Sequence, residues 1–199
     1  MSDHAELPLF PLNTVLVPGG HLPLRIFERR YLDMVRWCSS EGQPFGVVLV
    51  VQTEEPGQAA HVRIGSAAHI TDFNTLEDGL LGITAQGGQK FQVLSTRGRD
   101  DGLLFGDVRY LEPEPPTALP PEFGLLGDIT RGFLERLDGQ FPDALPEQLD
   151  DASWVGFRLT ELLPLDNAEK QALLELTDPL KRLQVLLEVL PRFQAEDDE

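Results

Sequence analysis

Between Glu112 and Pro121 the chain reads EPEPPTALPP, five prolines in ten residues. Each proline fixes φ and lacks an N–H donor, so the stretch reads as an extended, semi-rigid spacer. The apolar spacing changes across it, from strand-like before to helical after. A chain of 199 residues allows one large domain or two small ones. We therefore place a boundary here, with a β-rich subdomain over residues 1–116 and a helical one over residues 117–199.

The first part opens with LPLFPLNTVLVPGGHLPLRIFE, Leu7 to Glu28, an apolar run broken by Pro8, Pro11, Pro18 and Pro23. Those prolines forbid a helix. Asp3 and Glu6 precede the run and no Lys or Arg comes before Arg25, unlike the basic start of a secretory signal. No later window reaches the roughly 18 apolar residues of a membrane span. The expectation is a cytoplasmic protein with no membrane partner.

FGVVLVVQ, Phe45 to Gln52, is a β-branched run between Gln43-Pro44 and a Glu-Glu-Pro-Gly turn, and predicts a buried strand. HVRIGSAAHI, His61 to Ile70, alternates through Val62, Ile64 and Ser66 and loses its rhythm at Ala67-Ala68. With Gly65, that predicts a bulge or a tight packing contact. LLGITAQGGQKFQVLSTRG predicts two strands, Leu80 to Ala85 and Lys90 to Thr96, joined by a hairpin at Gly87-Gly88. Leu103 to Pro113 closes the set. One helix interrupts it, from Glu28 to Ser40, with Tyr31, Met34, Val35 and Cys38 on one face and Arg29, Arg30, Asp33 and Arg36 opposite. Gly42 stands where glycine ends a helix. Five or six strands around one helix predict a small twisted barrel.

In the second part, Glu122 to Leu137 puts Phe123, Leu126, Ile129, Phe133 and Leu137 on one stripe, with a stop at Asp138-Gly139. Ala152 to Leu163 carries Val155, Leu159, Leu162 and Leu163. Asp166 and Glu169 have capping-box spacing. Asp178-Pro179 pairs a cap acceptor with proline at the first helical position, ahead of Leu180, Leu183, Leu187 and Leu190 and the acidic tail AEDDE. Four short amphipathic helices predict a bundle.

The balance of 16 basic against 33 acidic residues, net −17, repels phosphate backbones and argues against nucleic acid. The lone Cys38 excludes an internal disulfide and reads as a buried structural thiol. Gly82 and Gly87 have the glycine spacing of a phosphate-binding loop, but Gly88 and Gln89 stand where Lys and Ser or Thr would hold phosphate. His61 and His69 would share a face of one strand, yet no further ligand is near, so no metal or other cofactor is expected. None of the serines sits in a nucleophile elbow or beside a lysine. No catalytic residue is assigned.

The opening stretch resembles the start of the amino-terminal domain of the ATP-dependent protease Lon. The likeness continues through RIGSAAHI, GLLGITAQGGQKFQVLS, FGDVRYLEP and KQALLELTDPLKRLQVLLEVL, in the family's order. The resemblance implies an α+β fold: a PUA-like, β-rich pseudo-barrel with one helix, followed by a helical bundle, with prolines at strand ends and turns. A full Lon protease continues into an ATPase module and a Ser–Lys protease domain. This sequence shows neither a Walker lysine nor that serine, so the expectation is a stand-alone substrate-binding domain that is not an enzyme.

What the resemblance implies about function is recognition of unfolded or tagged protein segments, and help in assembly as a weak homo-oligomer. The alternative is an adaptor or regulator docking onto a separate ATPase or protease machine. An exposed barrel edge accepts a strand, or an apolar groove holds side chains. The candidate peptide-binding residues are Arg29, Arg30 and Arg36 on the exposed face of the first helix, and Phe73 and Leu76 in the loop DFNTLEDG.

Overall fold

The computed structural model describes residues 4–51, 60–137 and 146–194. The chain divides into two compact units, Met1–Pro113 and Glu114–Glu199. In the first, seven strands form one sheet: β1 (His4–Leu12), β2 (His21–Ile26), β3 (Phe45–Val51), β4 (Ala60–His61), β5 (Ile64–Thr75), β6 (Leu81–Gly98) and β7 (Leu104–Tyr110). The order β1–β7–β6–β5–β3 closes on itself, because β1 pairs antiparallel with β7 over His4 to Leu9 and parallel with β3 over Leu9 to Leu12. This is the expected pseudo-barrel.

Three prolines lie inside strands rather than at their ends. Pro8 pairs with Phe105, Pro11 with Val48 and Pro23 with Thr84. At each of them the strand has a neighbour on one side only among the described residues: β3 joins β1 from Leu9 onward, β7 leaves it after Leu9, and β2 pairs with β6 alone. A residue without an N–H donor is tolerated where one flank of the strand is unpaired.

The hairpin expected at Gly87-Gly88 does not exist; β6 runs unbroken through both glycines. Neither has a positive φ, a conformation found among the described residues only at Gly19, Gly42, Gly79 and Gly102. Gly87 is there for close approach instead. Its N–H donates to Gly20 O at 2.8 Å and its carbonyl accepts from Gly19 N–H at 2.7 Å. A Cβ on Gly87 would lie 2.0 Å from the Val17 carbonyl oxygen. The bulge near Ala67-Ala68 is present, as a register shift between Ser66 and Ala68. His61 and His69 sit on different strands, β4 and β5, so they share no strand face.

The helix α1 (Arg29–Glu41) packs Tyr31, Met34, Val35 and Cys38 inward and ends at Gly42, whose φ of 62° only glycine adopts freely. Its apolar face joins Phe10, Phe45, Ile83 and Ala85, with the Phe10 and Tyr31 rings stacked 3.9 Å apart. A second cluster, Leu7, Leu9, Val48, Phe91, Val93 and Val108, fills the rest of the interior.

The second unit holds α2 (Gly124–Arg136), α3 (Ala152–Leu162), α4 (Asn167–Glu175), α5 (Pro179–Val189) and the short α6 (Pro191–Gln194). Asp166 and Glu169 form the full capping box, and Asp178 caps α5 ahead of Pro179. On α5 the buried leucines are Leu183 and Leu186, followed by Leu190, while Leu180 from the expected stripe is exposed. The proline stretch is no free spacer from Glu114 onward. Ala152 N–H donates to Thr117 O, Leu119 N–H to Asp150 O, and Ala118 bridges Asp151.

Glu114 is nearly buried and takes a bidentate ion pair from Arg182, whose Nη1 and Nη2 lie 2.9 and 2.5 Å from its two oxygens. Arg182 also donates to the carbonyls of Leu173 and Leu176 at 3.0 and 2.7 Å and lies 3.8 Å from the Phe157 ring centroid. Gly156 leaves room for it, since a Cβ there would be 3.1 Å from Arg182 Cδ. The expected Glu-Glu-Pro-Gly turn, the end of β3 at Gln52, the stop at Asp138-Gly139 and the acidic tail lie outside the described residues.

Candidate functional site

The first unit carries a cleft of about 410 Å³, lined by Leu32, Val35, Arg36, Ser39 and Ser40 of α1, Phe73 of β5 and Leu81 of β6. A bulge creates it. The pairing of β5 with β6 shifts register between Ile70 and Asp72. Ile70 and Phe73 are three apart, and in a regular strand they would point to opposite faces. The extra residue puts both on the α1 side: Phe73 stands directly opposite Ile83, which is buried against α1. Thr71 secures the bulge by donating its hydroxyl to Thr84 O at 3.1 Å. Phe73 remains 48% exposed, an aromatic ring on the rim of an apolar floor.

Two of the five residues singled out in the sequence meet here, Arg36 and Phe73. The guanidinium of Arg36 donates to Asp33 at 3.0 Å, so its charge is balanced on the helix. Arg29 stands 94% exposed, 3.9 Å from the same Asp33, and does not line the cleft. Arg30 is a structural tether: it donates to Gly102 O at 2.8 Å, pairs with Glu28 at 2.7 Å and lies 4.6 Å from the Tyr31 ring centroid. Leu76 folds onto its own hairpin, with its N–H on Leu80 O and its Cδ2 3.0 Å from where a Gly82 Cβ would be. The expected loop at 72–79 is strand as far as Thr75. Leu32, Ser39, Ser40 and Leu81 were missed. Leu32, Ser39 and Ser40 flank the apolar stripe of α1 and Leu81 continues the Ile83 and Ala85 face of β6, and only the placement of α1 against β5 and β6 brings them together.

The cleft offers apolar carbon, one paired guanidinium and two hydroxyls; none of its lining residues is His, Cys, Asp or Glu. Below it, burial pushes the Cys38 thiol up to about 12, which keeps it protonated at neutral pH. Burial likewise raises Tyr31, and the neighbouring Arg30 pulls partly the other way. Among the described residues, no group of three or more His, Cys, Asp or Glu could hold a metal ion, and no helix is long and apolar enough to cross a membrane. A second hollow, of about 460 Å³, is bounded by His4, Ala5, Glu6, Leu94, Ser95 and Asp107. Of its polar groups, Ser95 is engaged with Asp107 at 2.6 Å and Glu6 with Arg97 at 2.7 Å.

The first unit is thus a closed sheet packed on α1 with an apolar cleft at its rim, and the second unit is helical. The profile of the ATP-dependent protease La (LON) substrate-binding domain matches residues 6–192, and the chain belongs to that family. Lon protease 2 of Herpetosiphon aurantiacus is 31% identical over 194 residues, which are 93% of this chain and 23% of the relative. Lon protease of Escherichia coli K12 is 26% identical over 204 residues, 95% of this chain and 25% of the relative. The chain thus spans about a quarter of these proteases, and the match is to the substrate-binding domain. Among solved structures, a Lon N-terminal domain protein from Xanthomonas campestris superposes with a TM-score of 0.75 at 42% identity, covering 92% of this chain and 98% of that one. The N-terminal domain of Mycobacterium avium complex Lon protease shares the fold, with a TM-score of 0.63 at 19% identity and coverage of 92% and 97%.

Proposed function

We propose that this protein is a non-catalytic recognition module that holds unfolded or tagged protein segments in the cleft beside Phe73. Membership of a substrate-binding family supplies the class of ligand. The observation that carries the location is the bulge that turns Phe73 toward α1 and leaves its ring half exposed above Leu32 and Leu81. The cleft is large enough for one or two apolar side chains of a bound segment, and such side chains gain by leaving water. Arg36 at the rim supplies donors for a backbone carbonyl or a carboxylate. Any cleavage of the bound protein is the work of a separate ATPase and protease machine.

Calorimetric titration of the full chain with an unfolded, casein-type protein tests this reading. Binding is expected, with a loss of about tenfold for Phe73→Ser, the scale of one buried aromatic contact at a recognition surface. Arg29→Ala, outside the cleft, leaves affinity unchanged. Equal affinity of wild type and Phe73→Ser, with both folded by circular dichroism, refutes the assignment of the cleft.

A further inference from the structure

The same cleft borders an open strand edge. The pairing of β5 with β3 covers Ser66 to Ala68 and goes no further, whereas its pairing with β6 continues to Thr75. Among the described residues, β5 from Asp72 to Thr75 therefore has one neighbour, and its other flank presents unpaired backbone groups. Every residue from Thr71 to Thr75 is exposed. Natural edges are blocked by proline, lysine or a bulge. This edge carries no proline or lysine, and its bulge lies ahead of Asp72, so Asp72 to Thr75 run in regular register against Thr84 to Leu81.

Resting on the recognition function proposed above, we propose that Asp72 to Thr75 of β5 take up an extended segment of a partner protein as an added strand. Backbone hydrogen bonds to β5 supply sequence-independent affinity, which suits a ligand defined by being unfolded. Alternate side chains of the added strand point into the cleft beside Phe73 and are apolar. The intervening side chains lie on the face of Asp72, which no ion pair engages among the described residues, and they are basic. Glu41 and Glu77 likewise carry no ion pair there, and the whole chain has a net charge of −17, so a basic segment is also steered toward it.

The probe is a labelled ten-residue peptide alternating leucine and lysine, titrated against the full chain by fluorescence anisotropy. Two N-methylated isomers are compared with it, one methylated at the leucines and one at the lysines. In an extended strand, the leucine amides face one flank and the lysine amides the other. Strand addition predicts that one isomer loses at least about tenfold in affinity while the other stays within about threefold, as two or three hydrogen bonds are removed in only one of them. Equal behaviour of the two isomers overturns strand addition and leaves side-chain recognition standing. Binding of unfolded casein without binding of the unmethylated peptide overturns the proposed ligand pattern alone. Failure of both ligands to bind overturns this proposal together with the function on which it rests.

Discussion

Arg182→Met removes a cation that holds four oxygens. The guanidinium donates to both carboxylate oxygens of Glu114 and to the carbonyls of Leu173 and Leu176, and its side chain is 0% exposed beside a Glu114 side chain that is 6% exposed. Methionine fills the space over Gly156 but leaves Glu114 as a buried carboxylate without its guanidinium partner, still accepting from the Ser153 hydroxyl at 2.7 Å. Breaking one partner of such a pair costs about 3–5 kcal/mol. In urea this lowers the midpoint of the helical unit by about 1–5 M, at the usual slope of roughly 1–3 kcal/mol per M for small units.

Trp37 lies on α1 in the first unit and Trp154 on α3 in the second. A Trp37→Phe background therefore makes fluorescence report the helical unit alone. The sharper readout is a sign. Glu114→Gln destabilises the wild type, because the ion pair is lost. In the Arg182→Met background the same change stabilises, because it neutralises a stranded charge, with a coupling energy of about 2 kcal/mol or more. If Glu114→Gln has the same effect in both backgrounds, the buried pair does not anchor the proline stretch and the reasoning fails.

Three further outcomes follow from the same geometry. Gly87→Ala should cost at least about 1–3 kcal/mol, since its Cβ would meet backbone at 2.0 Å, while Gly98→Ala, with nothing within 4 Å, should be neutral to within about 0.5 kcal/mol; thermal melts separate the two. Cys38, with its thiol held up to about 12, should react with an aromatic disulfide reagent at pH 8 only at the rate of unfolding, and at once in denaturant; prompt labelling of the native chain would contradict its burial. Glu169 is held below the usual carboxylate range, first by its hydrogen bond from Arg192 and then by the Asp166 N–H. Its stabilising contribution is therefore complete above the ordinary carboxylate pKa and is lost as pH falls through the lowered one. Acid unfolding followed by circular dichroism should begin at higher pH in Arg192→Gln, and an unchanged acid limb would show that the pair contributes nothing.

Where a structural signal is local, the sequence was sufficient. A cap and its acceptor are within three or four residues of each other, so Asp166 with Glu169, Asp178 with Pro179, and Gly42 after α1 were legible as written. The 3.6-residue period placed the buried face of α1, and the prolines of the opening excluded a helix there. Of the candidate site, the sequence supplied Arg36 and Phe73 but put Phe73 in a loop and added Arg29, Arg30 and Leu76, which do not line the cleft.

Three matters were decided only in three dimensions. Gly87-Gly88 carries the local mark of a turn, yet the glycine is required because the segment around Val17 crosses β6 at backbone distance. EPEPP has the composition of a solvated spacer, yet Glu114 is drawn in by Arg182, 68 residues away. Phe73 owes its direction to one extra residue in a ladder whose register depends on the partner strand. Periodicity and caps act over a turn or a pleat, and they carry no information about which distant backbone or charge will arrive alongside. Close approach, buried pairing and strand register are properties of that arrival, and so they appear only once the chain has folded.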